Sequence, residues 1–400
     1  MLRSPMSRSL TLSARAECLQ PSLTLAIAAK AKALRADGHD ICSLSAGEPD
    51  FDTPTFIRQA AAQALEAGHT RYGPAAGEPE LREAIAAKIS GENKVPTSAD
   101  QVLVTNGGKQ ALFNLFQVLL GPGDELLLPA PYWLSYPDMA QLAGASVRLI
   151  PSSAAEGFRL DPERLEAAIT PASKLLVLNS PGNPTGMVLS RPELEAIATV
   201  LRRHPQVAVV CDEIYEFLLA PGHQHHSFAA VAPDLADRVF TVNGFAKGWA
   251  MTGWRIGYCG GPAEVIKAMA TLQGQSTSNP TSISQAAATV ALNADQTCVH
   301  EMNKHFKARH DWLVGALNTL PGVSCLPGFG TFYAFANVRG AMDHLGCADD
   351  NAFAEKLITD ALVAVVPGSG FGAPDHMRLS FACSMETLEK AVERMRRVLG

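Results

Sequence analysis

The stretch Val242-Asn243-Gly244-Phe245-Ala246-Lys247-Gly248-Trp249-Ala250-Met251-Thr252-Gly253-Trp254-Arg255-Ile256-Gly257-Tyr258 follows a strand-like run and places an arginine eight positions after a lysine. A lysine amine at a strand end can form a Schiff base with an aldehyde, and a nearby arginine can grip a phosphate through paired hydrogen bonds. Together they suit a phosphorylated aldehyde. Most lysines are solvated surface charge, so Lys247 gains meaning only from what accompanies it.

Other residues could serve the same chemistry. Gly107-Gly108-Lys109 stands between a strand-like and a helix-like run. Glycines there admit close backbone approach, and free N–H groups at a helix start attract phosphate, although such turns also use glycine for shape alone. Asp212 ends an apolar run and is followed by Glu213 and Tyr215. A carboxylate there can pair with a ring nitrogen and keep the ring an electron sink; the plainer reading is a helix cap. Tyr215 and Asn183 could each bond a ring oxygen, and the plainer reading of Asn183 is an Asn-Pro turn. Trp133 could stack on a flat cofactor or belong to the core. Arg378 sits between Met377 and Leu379. If buried it needs an anion, such as a substrate carboxylate; otherwise it is an exposed edge-strand arginine.

Two motifs are set aside. Pro367-Gly368-Ser369-Gly370-Phe371-Gly372 loosely resembles a dinucleotide loop, but no helix pattern follows it. His223, His225 and His226 lie in a Gly/Pro-flanked loop without neighbouring carboxylates or cysteines at metal spacing, and read as solvated, so no metal site is expected.

Elements must hold these residues. The expected strands are Val102-Leu103-Val104, Glu125 to Leu128, Lys174 to Leu178, Gln206 to Cys211 and Arg238 to Val242, with helix-like runs between. Ser190 reads as a helix cap, with Pro192 inside the first turn. Near-continuous apolar strands separated by helices predict a buried, mainly parallel sheet flanked by helices. Ligands bind beyond the carboxyl ends of such strands, and Gly107-Gly108, Asn183, Asp212 and Lys247 all fall there. The last hundred residues read as a smaller α+β domain, with one long helix from about Ser282 to Leu317 and strands around Thr331–Phe335 and Met377–Phe381. The chain divides into a large domain at 50–290 and a small domain formed by 1–49 and 291–400.

Composition narrows the classes. The 400 residues are 47% hydrophobic and 18% charged, with a formal charge of -6, as in a soluble globular enzyme. No basic run with interleaved aromatics favours nucleic acid, and no apolar stretch approaches the roughly 20 residues that span a bilayer. The eight cysteines include no Cys-x-x-Cys pair, which favours reduced thiols in a cytosol-like, cytoplasmic setting. The start, Met1 to Leu10, reads as a frayed terminus rather than a transit peptide, with Met6 an alternative start.

Seven ordered blocks resemble the class I aminotransferases that use pyridoxal 5′-phosphate: Leu44 to Pro54, Arg71 to Gly77, Asn106 to Gln110, Asn179 to Gly186, Cys211 to Tyr215, Lys247 to Tyr258, and Arg378-Leu379-Ser380. The likeness runs through nearly the whole chain after about residue 15 and is greatest to the bacterial aspartate and aspartate/glutamate–prephenate subgroup. It implies the type I fold of pyridoxal-phosphate-dependent transferases. It also implies roles. Lys247 holds the cofactor and moves protons; Asp212 pairs with its ring nitrogen; Asn183 and Tyr215 bind its ring oxygen; Trp133 stacks on it. Gly107, Gly108, Lys109 and Arg255 surround its phosphate. Tyr72 reaches the phosphate bound by a partner subunit, so a homodimer with shared sites is implied. Arg378 takes the substrate α-carboxylate with help from Gly47, and Trp133 and Asn183 also face the substrate.

There is one departure. Many relatives carry serines where this chain has Gly244 and Ala246. Thr252 or further backbone N–H groups would have to compensate, and Gly244→Ser would be expected to tighten cofactor retention. The implied reaction moves nitrogen from L-aspartate to 2-oxoglutarate in two half-reactions. Prephenate as acceptor is the close alternative, followed by an alanine or aromatic preference, a pyridoxal-dependent lyase and a non-catalytic relative. Lys109 is the candidate cation for a distal carboxylate, and Gln275 to Ser282 could also line the pocket.

Overall fold

The computed structural model describes residues 10–17, 19 and 23–400. Met1 and Met6, considered above as starts, lie outside them.

Thirteen strands form three sheets among the described residues. In chain order they are β1 (Cys42–Ser43), β2 (Val102–Thr105), β3 (Glu125–Pro129), β4 (Ser146–Ile150), β5 (Ser173–Asn179), β6 (Ala208–Asp212) and β7 (Val239–Gly244). Next come β8 (Gly257–Gly260), β9 (Ser324–Cys325), β10 (Tyr333–Asn337), β11 (Val363–Ala364), β12 (Val366–Pro367) and β13 (His376–Ser380). The large sheet has the order β2-β8-β7-β6-β5-β3-β4. Its pairings are parallel except for β8, which runs antiparallel to β2 and to β7.

The apolar runs explain why this sheet forms. Side chains alternate faces along a strand. In β5, Leu175 and Val177 join one buried cluster, while Leu176 and Leu178 join another on the opposite face. β3 does the same, with Leu126 and Leu128 against Leu127. Helices cover both faces, including Gly108–Leu119 and Arg191–Arg202. The second of these starts as expected, with Pro192 in its first turn and the Glu193 carboxylate accepting from the Ser190 N–H at 2.8 Å.

The smaller antiparallel sheet has the order β12-β13-β10-β9. The expected single helix over 282–317 is two helices, Ser282–Asn293 and Thr297–Leu317. The break is chemical. Asp295 accepts from the Thr297 N–H at 2.9 Å, and the Gln296 amide donates to the carbonyls of Ala291 and Ala294, so both helix ends are satisfied locally.

One strap joins the two sheets. Leu44 donates its N–H to Ala364 O and accepts from the Ser380 N–H. Farther along, Thr252 Oγ1 donates to Glu48 at 2.9 Å, and Thr53 Oγ1 donates to Ala250 O at 2.7 Å. Between them Arg309 grips the Asp50 carboxylate with both Nη atoms, at 2.7 and 2.9 Å.

Candidate active site

The strand ends converge on a cavity of about 270 Å³. Gly47, Gly108, Lys109, Trp133, Asn183, Asp212, Tyr215, Lys247, Arg255 and Arg378 all line it. These residues are spread over more than three hundred positions of sequence, and the sheet brings them together.

Asp212 is the last residue of β6 and is buried. Its Oδ2 accepts from the Tyr136 hydroxyl at 2.7 Å, and its Oδ1 lies 3.3 Å from the Ile214 N–H. A turn rather than a helix follows, so the cap reading fails. Burial pushes its carboxyl up to about 6, against the pull of those two hydrogen bonds. Asn179 braces the same strand end by donating to Asp212 O at 2.9 Å and accepting from the Asn183 N–H at 2.8 Å.

Lys247 follows β7. Its ammonium donates to Gly47 O and lies 5.7 Å from the Tyr215 ring centre. Burial, and then the Arg378 charge, lower its affinity for a proton to about 8. An amine in that range can exchange protons near neutrality.

Arg378 lies in the interior of the small sheet on β13, only 2% exposed, so the edge-strand reading is overturned. Its Nη1 donates to Asn183 Oδ1 at 2.9 Å and its Nη2 to Ser45 O at 3.1 Å, while its buried Nε has no partner. The guanidinium sits 4.2 Å from the Tyr333 ring centre and 5.0 Å from that of Phe371. Tyr333 in turn shares a 3.0 Å hydrogen bond with Tyr215. Asn183 is thus more than a plain turn residue.

The phosphate end is built from the loop before the helix Gly108–Leu119. Gly107 has φ +84°, and a Cβ there would come 2.5 Å from Arg255 Nη2. Only glycine lets the guanidinium approach so closely. In the first turn of that helix Gln110 and Ala111 donate their N–H groups to Gly107 O, which leaves those of Gly108 and Lys109 without an intrahelical acceptor. Arg255, itself left-handed at φ +55°, donates to Thr252 O at 2.8 Å. Lys109 Nζ lies 4.8 Å from the Trp133 ring centre, and its proton affinity is lowered by desolvation and by Arg255. Trp133 is half-buried at the cavity wall, edge-on to Tyr136.

These groups fit a phosphorylated pyridine aldehyde on structural grounds. A buried carboxylate awaits a cationic ring nitrogen, a lysine of low proton affinity awaits the aldehyde, and an arginine beside an N–H cradle awaits the phosphate.

The structure corrects several expectations. Thr252 gives its hydroxyl to Glu48 and is not in the cavity wall. Gln275 to Ser282 does not line the cavity; Thr277 bonds Gln110, and Ser282 bonds His69 O. Tyr72, expected at a partner's site, is 91% exposed and outside its own chain's cavity, so that expectation stands uncorrected. His225 is not solvated: it packs against Glu213 and Glu216, carboxylates supplied by the segment after β6. Gly244 has no room for a serine. A Cβ there would stand 2.9 Å from Gly257 Cα and 2.9 Å from Ile256 O, and one on Gly257 would stand 2.3 Å from Gly108 N. Three backbones touch at this crossing. Gly244→Ser should therefore cost about 1–3 kcal/mol of stability from overpacking. A melting temperature equal to the parent's, with tighter cofactor retention, would restore the earlier expectation.

Asp212 permits a test of pH linkage. Its folded value lies about two units above an ordinary carboxyl. The cost is absent below about pH 4, grows as the unfolded chain ionises first, and is complete above about pH 6, reaching roughly 3 kcal/mol. Cofactor-free Asp212→Asn should thus resist urea better than the parent at pH 8 and equally at pH 4. Equal curves at both pH values would show that Asp212 carries no such strain.

Tyr136, Asn179 and Tyr333 were missed in the sequence. Tyr136 lies one helical turn after Trp133, and Asn179 ends β5, so both carried a positional signal.

The chain belongs to the aminotransferases of class I and II, whose family model matches residues 39–395. It is a transaminase, and its architecture is the type I fold of that enzyme class. It is 45% identical to the aspartate/prephenate aminotransferase of Nitrosomonas europaea, over 97% of this chain and 100% of that one. It is 46% identical to the aspartate aminotransferase of Geobacillus stearothermophilus, over 97% and 98%. Among solved structures, the aspartate aminotransferase of Thermus thermophilus with maleate superposes with a TM-score of 0.92 at 46% identity, covering 98% of this chain and 100% of that one.

Proposed function

We propose that the protein transfers the amino group of L-aspartate to 2-oxoglutarate with pyridoxal 5′-phosphate as cofactor. The observation that carries this is the convergence of Lys247, Asp212 and Arg378 on one cavity. The names of the relatives support the substrate. When bound, the cofactor supplies an aldehyde to take up the amino group and a ring that draws electrons from the substrate carbon.

The chain's own residues do the rest. Asp212, held by Tyr136, fixes the ring nitrogen and keeps it cationic. Asn183 and Tyr215 bond the ring oxygen, and Trp133 covers one ring face. Gly107, Gly108, Lys109 and Arg255 hold the phosphate. Arg378 binds the α-carboxylate and sets the rotation of the substrate. Gly47 flanks that carboxylate. Lys247 Nζ would hold the cofactor until the substrate amine displaced it, and the freed amine would then take the proton from the substrate Cα.

We also propose a homodimer in which Tyr72 reaches the partner's phosphate site, which its exposure supports, and a cytoplasmic setting. No helix among the described residues is long and apolar enough to cross a membrane. The domain boundaries are proposed at 50–290 for the large domain and at 1–49 with 291–400 for the small one. The large sheet lies within the first span and the four-stranded sheet within the second.

Lys109, on the cavity rim, is the cation for the distal carboxylate. The test compares Lys109→Ala with the parent on aspartate and on alanine, following 2-oxoglutarate-dependent release of the oxo acid. Loss of one charged contact should cost aspartate about 10- to 100-fold more in kcat/KM than alanine, the loss common to both substrates reporting the phosphate contact. Equal losses on both would remove Lys109 as the selector, and release of oxo acid without 2-oxoglutarate would overturn the transfer reaction itself.

A further inference from the structure

Behind the cavity, on the far side of the turn that follows Asp212, lies a second polar cluster outside the site described above. Lys88, from the helix Pro79–Gly91, sends its ammonium onto Glu216 and, at 2.7 Å, onto Asn93 Oδ1. All three residues are buried. Asn93 Nδ2 bonds Glu216 at 2.9 Å and Ser227 Oγ at 2.8 Å, and Ser227 Oγ donates to Glu213 at 2.9 Å. Asn243 Nδ2 donates to the same Glu216 at 2.8 Å, while its Oδ1 accepts the Gly244 N–H at 2.7 Å.

The placement is what matters. Glu213 and Glu216 bracket the turn between Asp212 and Tyr215. Asn243 lies on β7, whose end leads to Lys247. Glu216, itself on the segment that carries Asp212, thus bonds through one carboxylate the helix that carries Lys88 and the strand that leads to the reactive amine.

Every charged or titratable group facing this carboxylate is buried or nearly so, apart from Glu92. Lys88 is in direct contact. His225 Nε2 stands 3.1 Å from Glu213, although neither ring nitrogen makes a hydrogen bond. Glu92 lies 4.0 Å from Lys88, and the Tyr258 hydroxyl is close enough to feel both glutamates. Burial alone would raise the Glu216 carboxyl, but Lys88 and His225 hold it below its ordinary value. A divalent ion would have to displace Lys88 from the centre. The cluster is already balanced by protein cations.

We infer that Lys88 and Glu216 are positioning residues for the transamination: Lys88 fixes the Glu216 carboxylate, which through Asn243 clamps the Asp212–Tyr215 turn to the strand end that leads to Lys247. This rests on the roles proposed above for Asp212 and Lys247. Breaking one half of a buried pair strands a charge in low dielectric, whereas removing both halves is tolerated far better. A stranded charge also acts at a distance on Lys247 and Asp212.

The test uses full-length protein loaded with pyridoxal 5′-phosphate. Lys88→Met strands a negative charge, Glu216→Gln strands a positive one, and the double variant strands neither. Each single variant should lose about tenfold or more in kcat with aspartate, and the pH midpoint of the bound cofactor's visible absorbance should move about half a unit or more, upward for Lys88→Met and downward for Glu216→Gln. The double variant should recover the midpoint, because no charge is stranded, but keep a turnover loss of about tenfold, because the clamp is gone. Should a single variant not fold, the double variant and Lys88→Arg, which keeps the charge, carry the comparison. Parent-like readings in Lys88→Arg with lowered turnover in the double variant would support the clamp, and parent-like turnover in the double variant would overturn it. If all variants lose only thermal stability, with turnover and midpoint unmoved, the cluster serves folding alone and the inference is wrong. Absence of aspartate turnover in the parent would refute the proposed function instead, leaving the opposed midpoint shifts to decide the clamp.

Discussion

Lys247→Ala should lower the turnover number for aspartate and 2-oxoglutarate by about 10⁴-fold, the upper end of what one positioned proton-transfer group contributes. The size follows from the placement of the amine. It sits at the end of β7, beside Tyr215, with a proton affinity lowered by burial and by Arg378 to about 8. Among the described residues no imidazole lines the cavity, and the other cations there are Lys109, Arg255 and Arg378, of which only Lys109 is an amine. The cofactor should still bind, because its ring and phosphate partners are untouched, but dialysis should remove it faster. Steady-state kinetics with parallel absorbance spectra would check this. Turnover within tenfold of the parent's would remove Lys247 from the chemistry.

Arg378 carries the second large effect. Arg378→Ala should lower kcat/KM for every α-amino acid by about 10²- to 10⁴-fold, the range expected when one partner of a buried charged contact is deleted. The guanidinium is fully enclosed, flanked by the rings of Tyr333 and Phe371, and its Nε is buried without a partner. An unsatisfied buried donor is costly, and an arriving carboxylate relieves it. Alanine would also leave Asn183 Oδ1 without its donor, so Arg378→Lys supplies the control. It retains the charge without the planar fork, and should raise KM for aspartate and alanine alike while leaving cofactor loading near the parent's. A normal KM in both variants would show that the α-carboxylate binds elsewhere.

Much of this site was legible in the sequence because its residues follow apolar strands. A run such as Leu175 to Leu178 must be buried on both faces, which makes it an interior strand of a layered sheet and points to its carboxyl end as the place for polar residues. Asn183, Asp212, Lys247 and the Gly107-Gly108 pair were found in this way. What escaped were contacts between residues far apart in the chain that no local pattern encodes. The Tyr136 hydroxyl meets Asp212 across 76 positions, and Lys88 meets Glu216 across 128. His225 read as solvated because its carboxylates are not at metal spacing in sequence. Gly244 read as a missing hydroxyl, since nothing local reveals that Gly257 Cα fills that space. The break at Asp295 had a local signal in the polar run Asn293-Ala294-Asp295-Gln296-Thr297, which the helix-like patterns on either side outweighed.

The strap that joins the two sheets gives the site a built-in ruler. Arg378 is referenced to Ser45 O, and Lys247 to Gly47 O. Two residues of backbone span no more than about 7 Å, a length fixed by covalent geometry rather than by how the sheets breathe. On the roles proposed for Arg378 and Lys247, that gauge spans the part of the substrate that all α-amino acids share, from carboxylate to nitrogen. Lys109, at the same cavity but off the strap, lies outside the gauge.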